Sequence, residues 1–209
     1  MRLKNIYLTI DDSPSKSLNE KLNFLLLRKI PAVLFCRGEF MENHMNHVVY
    51  AIKNGFLIGN HSYSHPYFSK LSVEECKKEI LKSEHLIDEA YTLANIKRLK
   101  KIVRLPFGDL GGANSEALAS FLNEEGFQHL QFEHFKYSSI HIPWELDTMD
   151  YKNRFIENSK LYIDNLKNTF ESYERDTAVV LLHDFDHNSN LFYLSLEFFL
   201  ENNLNFMPF

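Results

Sequence analysis

Two adjacent aspartates, Asp11 and Asp12, close a short β-like run just before Ser13-Pro14. Buried and ionised together they would repel each other. The pair therefore either sits on a solvated turn, capping the helix that follows, or faces a positive charge. Further along, "HSYSH" sets His61 and His65 at a spacing that suits a metal ion and equally suits a polar surface loop. "RLPFGD" carries Arg104, "WELDTMDY" carries Asp147 and Asp150, and "LLHD" ends in His183 and Asp184. Carboxylates and imidazoles are the groups that ligate divalent metals and move protons. Each also has an ordinary reading: helix initiation for Asp147 and Asp150, an ion pair for Arg104, a satisfied strand-end histidine for His183. What sets these residues apart is shared placement, because each group follows a strand-like run.

Those runs are residues 6–10, 31–36, 55–60, 101–105, 127–132, 140–146, 178–183 and 204–209. Between them, amphipathic stretches predict helices near 17–29, 41–54, 72–95, 114–125, 155–173 and 190–202. The third begins on a capping box, Ser72 followed by Glu75. Short apolar runs without strict alternation, separated by helices, predict parallel strands covered on both faces. The expectation is an α/β fold, a (β/α) barrel of about seven parallel strands in one domain, residues 1–209. Such barrels carry their chemistry at the C-terminal ends of the strands, where the polar groups above all lie.

Composition narrows the setting. The 209-residue chain has a net charge of −5 and no basic run, which argues against nucleic acid. Cys36 and Cys76 form no metal-type or redox-type cluster and no disulfide framework. The N-terminus lacks the apolar core of a signal peptide, and no apolar run is long enough to span a bilayer. A cytoplasmic location is the default expectation, with export by another route left open.

Taken in order, "TIDDSP" (9–14), "HSYSH" (61–65), "RLPF" (104–107), "DTMDY" (147–151) and "LLH" (181–183) resemble the five motifs of the polysaccharide deacetylase family. This is carbohydrate esterase family 4, the NodB homology domain. The resemblance covers most of the chain, and its fold is a distorted (β/α) barrel. It implies that Asp12, His61 and His65 ligate a divalent metal, most often Zn2+, with Co2+ or Ni2+ as alternatives. Three protein ligands leave an open position, as a catalytic site requires. Asp11 then corresponds to the general base and His183 to the general acid. Arg104 would hold Asp11, and Asp150 would orient and charge His183. The backbone N–H of Phe107 would meet the oxyanion, Leu181 would line the acetyl pocket, and Tyr151 would line the groove.

Two positions depart from the family pattern: Ser13 replaces the usual glycine, and Tyr151 the usual tryptophan. Serine is excluded from conformations open to glycine, so an altered turn near the metal is expected. His44 and His47 could face a metal together, His187 could lie at the site's mouth, and the ring-rich segment 132–139 could stack on a sugar; packing or solvated-loop roles are the alternatives. Glycines 111 and 112 read as a tight turn after Asp109. The implied activity is metal-dependent hydrolysis of a carbon–nitrogen amide, as an N-deacetylase of an amino sugar or N-acetylated glycan. Members of the family act on chitin oligomers, peptidoglycan, xylan esters and small amides. The alternatives are a hydrolase of small non-sugar amides and a non-catalytic carbohydrate-binding protein that keeps the metal.

Overall fold

The structure, a computed structural model, describes residues 1–130, 132 and 140–209. In chain order it runs β1 (Asn5–Ser13), α1 (Leu18–Leu27), β2 (Val33–Cys36), α2 (Gly38–Lys53), β3 (Leu57–Asn60), α3 (Val73–Ala94) and α4 (Ser115–Glu124). It continues through β4 (Leu146–Asp147), α5 (Asn153–Ile156), α6 (Ser159–Glu171), β5 (Thr177–His183), α7 (Ser189–Glu201) and β6 (Asn205–Phe206). The strands pair in the order β3-β2-β1-β5-β4, all parallel, and β6 pairs with the first residues of β1.

The strand alternation decides what faces the site. In β1, Ile6, Leu8 and Ile10 pack outward into the cluster shared with the helices, whereas Tyr7 belongs to an inner cluster with Val33, Phe35, Ile102, Ile142 and Val179. Successive side chains point to opposite faces, so Thr9 and Asp11 share the inward phase of Tyr7. In β5, Val179, Leu181 and His183 share that phase. The register pairs Tyr7 with Val179, Thr9 with Leu181 and Asp11 with His183. An apolar floor thus rises, two residues at a time, into a polar mouth.

The far side of the ring is thinner. From β3 the pairing continues only through single parallel bridges, Asn60 to Val103 and Val103 to His141. The chain then runs on to β4, which pairs with β5. The result is a distorted barrel of six strands and two bridges, where about seven strands were expected. The run 101–105 is reduced to a bridge at Val103. The run 140–146 contributes His141 and the first residue of β4. No strand forms over 127–130. Side chains take the place of the ladder here. Arg104 donates Nε–H to the Ile142 carbonyl (2.8 Å) and NH2 to that of Pro143 (3.0 Å), and the Leu105 N–H donates to His141 Nδ1 (2.9 Å).

The helices fall close to their expected spans. Ser72 and Glu75 form the capping box, with the Ser72 N–H on Glu75 Oε2 (2.8 Å) and the Glu75 N–H on Ser72 Oγ (3.3 Å). Such a cap is worth about 1 kcal/mol. The stretch 155–173 is divided instead: α5 ends, and Asn158 caps α6 by accepting the Leu161 N–H (3.0 Å). Among the described residues no helix is long and apolar enough to cross a membrane. Cys36 and Cys76 are buried free thiols.

Candidate active site

β1 remains paired through its last residues, so backbone bonds place both aspartates. Asp11 lies beside His183 and Ser13 beside Cys36. Asp12, between them, takes a left-handed conformation (φ 59°). Ser13 does not, so the conformation that would favour glycine falls one residue earlier than the sequence suggested.

His61 follows directly on β3, and His65 is carried by a short loop. That loop is held by side chains: the Ser62 N–H donates to Asn60 Oδ1 (2.9 Å), and the His65 N–H to Ser62 Oγ (3.1 Å). Glu79 on α3 accepts the N–H groups of Tyr63 (3.0 Å) and Ser64 (2.7 Å). One ligand atom each from Asp12, His61 and His65 lie within 4.8 Å of one another, and this is the one such group of three among the described residues. His61 donates Nδ1–H to the Arg104 carbonyl (2.7 Å), which leaves Nε2 as the free acceptor. Burial lowers the pKa of His61 to about 3, and burial with nearby His61 lowers that of His65 to about 3, so both rings are neutral. Burial raises Asp12 to about 6. Two neutral imidazoles and a buried carboxylate within reach of one another form a donor set that fits a divalent metal.

Asp11 sits beside this cluster, with Oδ2 3.5 Å from His61 Nε2. Its other oxygen accepts from Arg104 NH1 (2.8 Å), which also reaches Thr9 Oγ1 (2.8 Å). Arg104 is fully buried and lies against the Phe35 ring, 4.4 Å from its centroid. On the neighbouring strand His183 donates Nδ1–H to Asp150 Oδ1 (2.7 Å), and its backbone N–H donates to Asp150 Oδ2 (3.0 Å). Burial works against charge on His183, but Asp150, followed by Asp12 and Asp11, outweighs it and raises its pKa to about 9.

A cavity of ≈ 380 Å³ joins these groups, lined by Asp11, Asp12, His61, His65, Leu181 and His183. Phe107 and Tyr151 also line it, while Arg104 and Asp150 lie behind the wall. Phe107 has left-handed backbone (φ 59°), and its half-exposed ring stacks on Tyr67 (4.0 Å between centroids). Tyr151 meets His183 edge to face at 4.9 Å.

Arg37, Trp144, Asp147 and Phe185 line the same cavity and were not predicted as site residues. Arg37 reaches Asp12 Oδ1 at 3.4 Å and pairs with Glu39. Asp147, a helix starter by its sequence alone, instead closes a turn: its Oδ1 accepts the Met149 N–H (2.8 Å), and burial raises its pKa. His44 and His47 stack on each other, and His47 donates to the Ser15 carbonyl (3.0 Å). His187 stacks on Phe185. Gly111 and Gly112 have positive φ in a turn where the Gly111 N–H donates to Asp109. Of segment 132–139 only Phe132, packed in the inner cluster, falls within the described residues.

The sequence profile described as polysaccharide deacetylase matches residues 1–129. The chain belongs to the polysaccharide deacetylase family. It is 29% identical over 148 residues to a peptidoglycan-N-acetylglucosamine deacetylase of Bacillus cereus, covering 70% of this chain and 46% of that protein. It is 28% identical over 182 residues to PdaC, a peptidoglycan-N-acetylmuramic acid deacetylase of Bacillus subtilis, covering 87% and 32%. The chain thus spans less than half the length of either relative. The fold matches that of the polysaccharide deacetylase Bc1974 from Bacillus cereus, with a TM-score of 0.74 and 24% identity over 99% of this chain and 92% of that one.

Proposed function

We propose that this protein is a metal-dependent amidohydrolase that removes the acetyl group from an N-acetylated amino sugar, free or within a glycan. One observation carries the reading: Asp11 and His183 stand side by side in strand register at the cavity that also holds the Asp12–His61–His65 cluster, each held by its own buried partner. Family membership supports it, as do relatives whose names specify N-acetylglucosamine and N-acetylmuramic acid. The same reading takes residues 1–209 as one domain, which is supported by the pairing of β6 with β1.

Asp12, His61 and His65 would hold the metal, with Zn2+ the best match to the donors and Co2+ and Ni2+ as alternatives. When bound, such an ion lowers the pKa of water and polarises an amide carbonyl. Arg104 fixes one oxygen of Asp11 and leaves the other toward the cavity, where it takes the proton from the attacking water. The Phe107 N–H is the candidate donor to the oxyanion. His183, held protonated by Asp150 and bonded to it through Nδ1, gives its Nε2 proton to the departing amine. Leu181, Trp144 and Tyr151 are among the apolar side chains of the cavity lining and would form a recess for the acetyl methyl. A recess of this kind selects the acyl group more sharply than the remainder of the sugar.

The test is acid release from N-acetylated sugars, their oligomers and small amides, with zinc-loaded wild type beside Asp11→Asn. Acetate from the wild type, reduced about 10²–10⁴-fold in the variant, is expected. Formate or a ring-opened product would keep the chemistry and move the substrate to small amides. Metal-loaded protein that releases no acid from any of them overturns the proposal.

A further inference from the structure

Lys21 is a lysine where lysines are seldom found. It projects from α1 and is 1% exposed, although α1 contributes nothing else to the site. Its Nζ donates to Asp184 Oδ1 (2.6 Å) and to the Phe185 carbonyl (2.9 Å). Asp184, also 1% exposed, is the residue after His183. Its carboxylate is further saturated by Ser15, through Oγ (2.6 Å) and the backbone N–H (2.7 Å). Its own backbone N–H donates to the carbonyl of Asp11 (2.9 Å). Nearby, Asp186 accepts the Ser17 N–H (2.9 Å).

The chain leaving β1 and the chain leaving β5 are therefore stitched together immediately past Asp11 and His183. A buried ion pair is a weak means of stabilising a fold, because desolvation offsets most of the attraction and apolar substitutes often do as well. What it offers instead is a fixed geometry. Lys21 ties a charge on β5's exit to the carbonyl that begins the Phe185 turn, and Phe185 stacks in parallel with the His183 ring (5.7 Å between centroids).

We propose that the Lys21–Asp184 pair positions the acid His183 against the base Asp11, and so contributes to turnover more than to fold stability. The inference rests on the reading of those two residues given above. Lys21 and Asp184 are positioning residues: neither lines the cavity.

The variant to make is Lys21→Met with Asp184→Asn, which removes both charges and keeps an acceptor for Ser15. Melting temperature, bound metal per chain, kcat and KM are measured beside wild type. So is the downfield proton resonance of His183 Nδ1–H on Asp150. The expected result is a folded protein with unchanged metal content and KM within about twofold. Its kcat should fall about 10–100-fold, the scale of a sub-ångström to ångström misplacement, and its His183 resonance should be shifted or broadened. If the double variant does not fold, Lys21→Gln with Asp184→Asn, a neutral pair that can still hydrogen-bond and leaves no buried charge unpaired, is expected to give the same pattern, with a kcat loss near the lower end. Unchanged kcat in a folded, metal-containing variant overturns the proposal. Should wild type itself turn over nothing, the functional reading fails, and an unmoved His183 resonance then overturns the positioning role independently.

Discussion

The two halves of the barrel wall hold the site by different means. From β3 through β2 and β1 to β5, continuous parallel ladders fix the chain, and the carboxylates and histidines ride on their ends. From Val103 to His141 the wall is made of single bridges, and a buried arginine and a histidine ring supply the hydrogen bonds that a ladder would have made. On the ladder side the backbone does the positioning, so side chains are free for chemistry. On the bridged side one side chain does both, since Arg104 ties the Ile142–Pro143 backbone to Asp11.

This difference predicts a separation between stability and activity. The largest effect is expected from Arg104→Met. It strands the Asp11 carboxylate in a buried site and leaves two backbone carbonyls without their donor, so both activity and fold suffer, by about 3–5 kcal/mol in denaturant unfolding. Asp11→Asn on the ladder side should cut activity about 10²–10⁴-fold with a smaller stability loss, because the amide oxygen can still accept from Arg104 and no backbone carbonyl loses its donor. Equal losses in the two variants would erase the distinction between the walls.

His61→Ala is next. Metal affinity measured by chelator competition should fall by more than the ~10–100-fold typical of losing an outer partner. The metal-free melting temperature should change far less than in Arg104→Met, because β3 keeps its pairing. Retained metal would remove His61 from the ligand set.

Asp150→Asn probes the ladder side by removing the charge and one of the two acceptor oxygens that hold His183. Loss of the carboxylate destabilises the imidazolium, so the His183 pKa, raised to about 9 chiefly against burial by Asp150, should move down. The sign for stability follows. A raised histidine pKa adds stability that is complete below the ordinary value of 6.5 and is lost as pH rises through about 9. Metal-free wild type should therefore lose stability across that window and the variant should lose less. The kcat of the variant should drop, with its alkaline limb at lower pH. An NMR titration that leaves His183 near 9 in the variant would contradict the assignment.

Much of this was legible in the sequence, and the reason is local. The Asp11-Asp12 pair, the His61–His65 spacing and His183 sit at strand ends that short apolar runs announce, and Ser72 with Glu75 announces α3. The bridged wall was misread as full strands because apolar runs at 101–105 and 140–146 record burial, not how many backbone bonds are made. The break before α6 had a signal in Asn158, a residue suited to capping. Lys21, Arg37 and Trp144 had none. Lys21 meets Asp184 across 163 positions of chain, and nothing in either neighbourhood points to the other.

The smallest effect is expected at Ser13, and it sharpens the comparison at its finest grain. Ser13 stands where the family usually has glycine, which suggested a turn altered by a side chain. The structure puts the positive φ on Asp12, while Ser13 is paired to β2 with its carbonyl accepting the Arg37 N–H (2.8 Å). Its buried hydroxyl has no hydrogen-bond partner among the described residues. If the ladder alone fixes this turn, Ser13→Ala should leave kcat/KM within about twofold and raise stability by about 1 kcal/mol, the lower end of what an unpaired buried polar group costs. Ser13→Gly should be less stable than Ser13→Ala by about 0.5–1 kcal/mol, because glycine adds flexibility to the unfolded chain and gains nothing at an ordinary φ. Glycine proving the more stable of the two would mean that the turn, not the ladder, sets the position of Asp12.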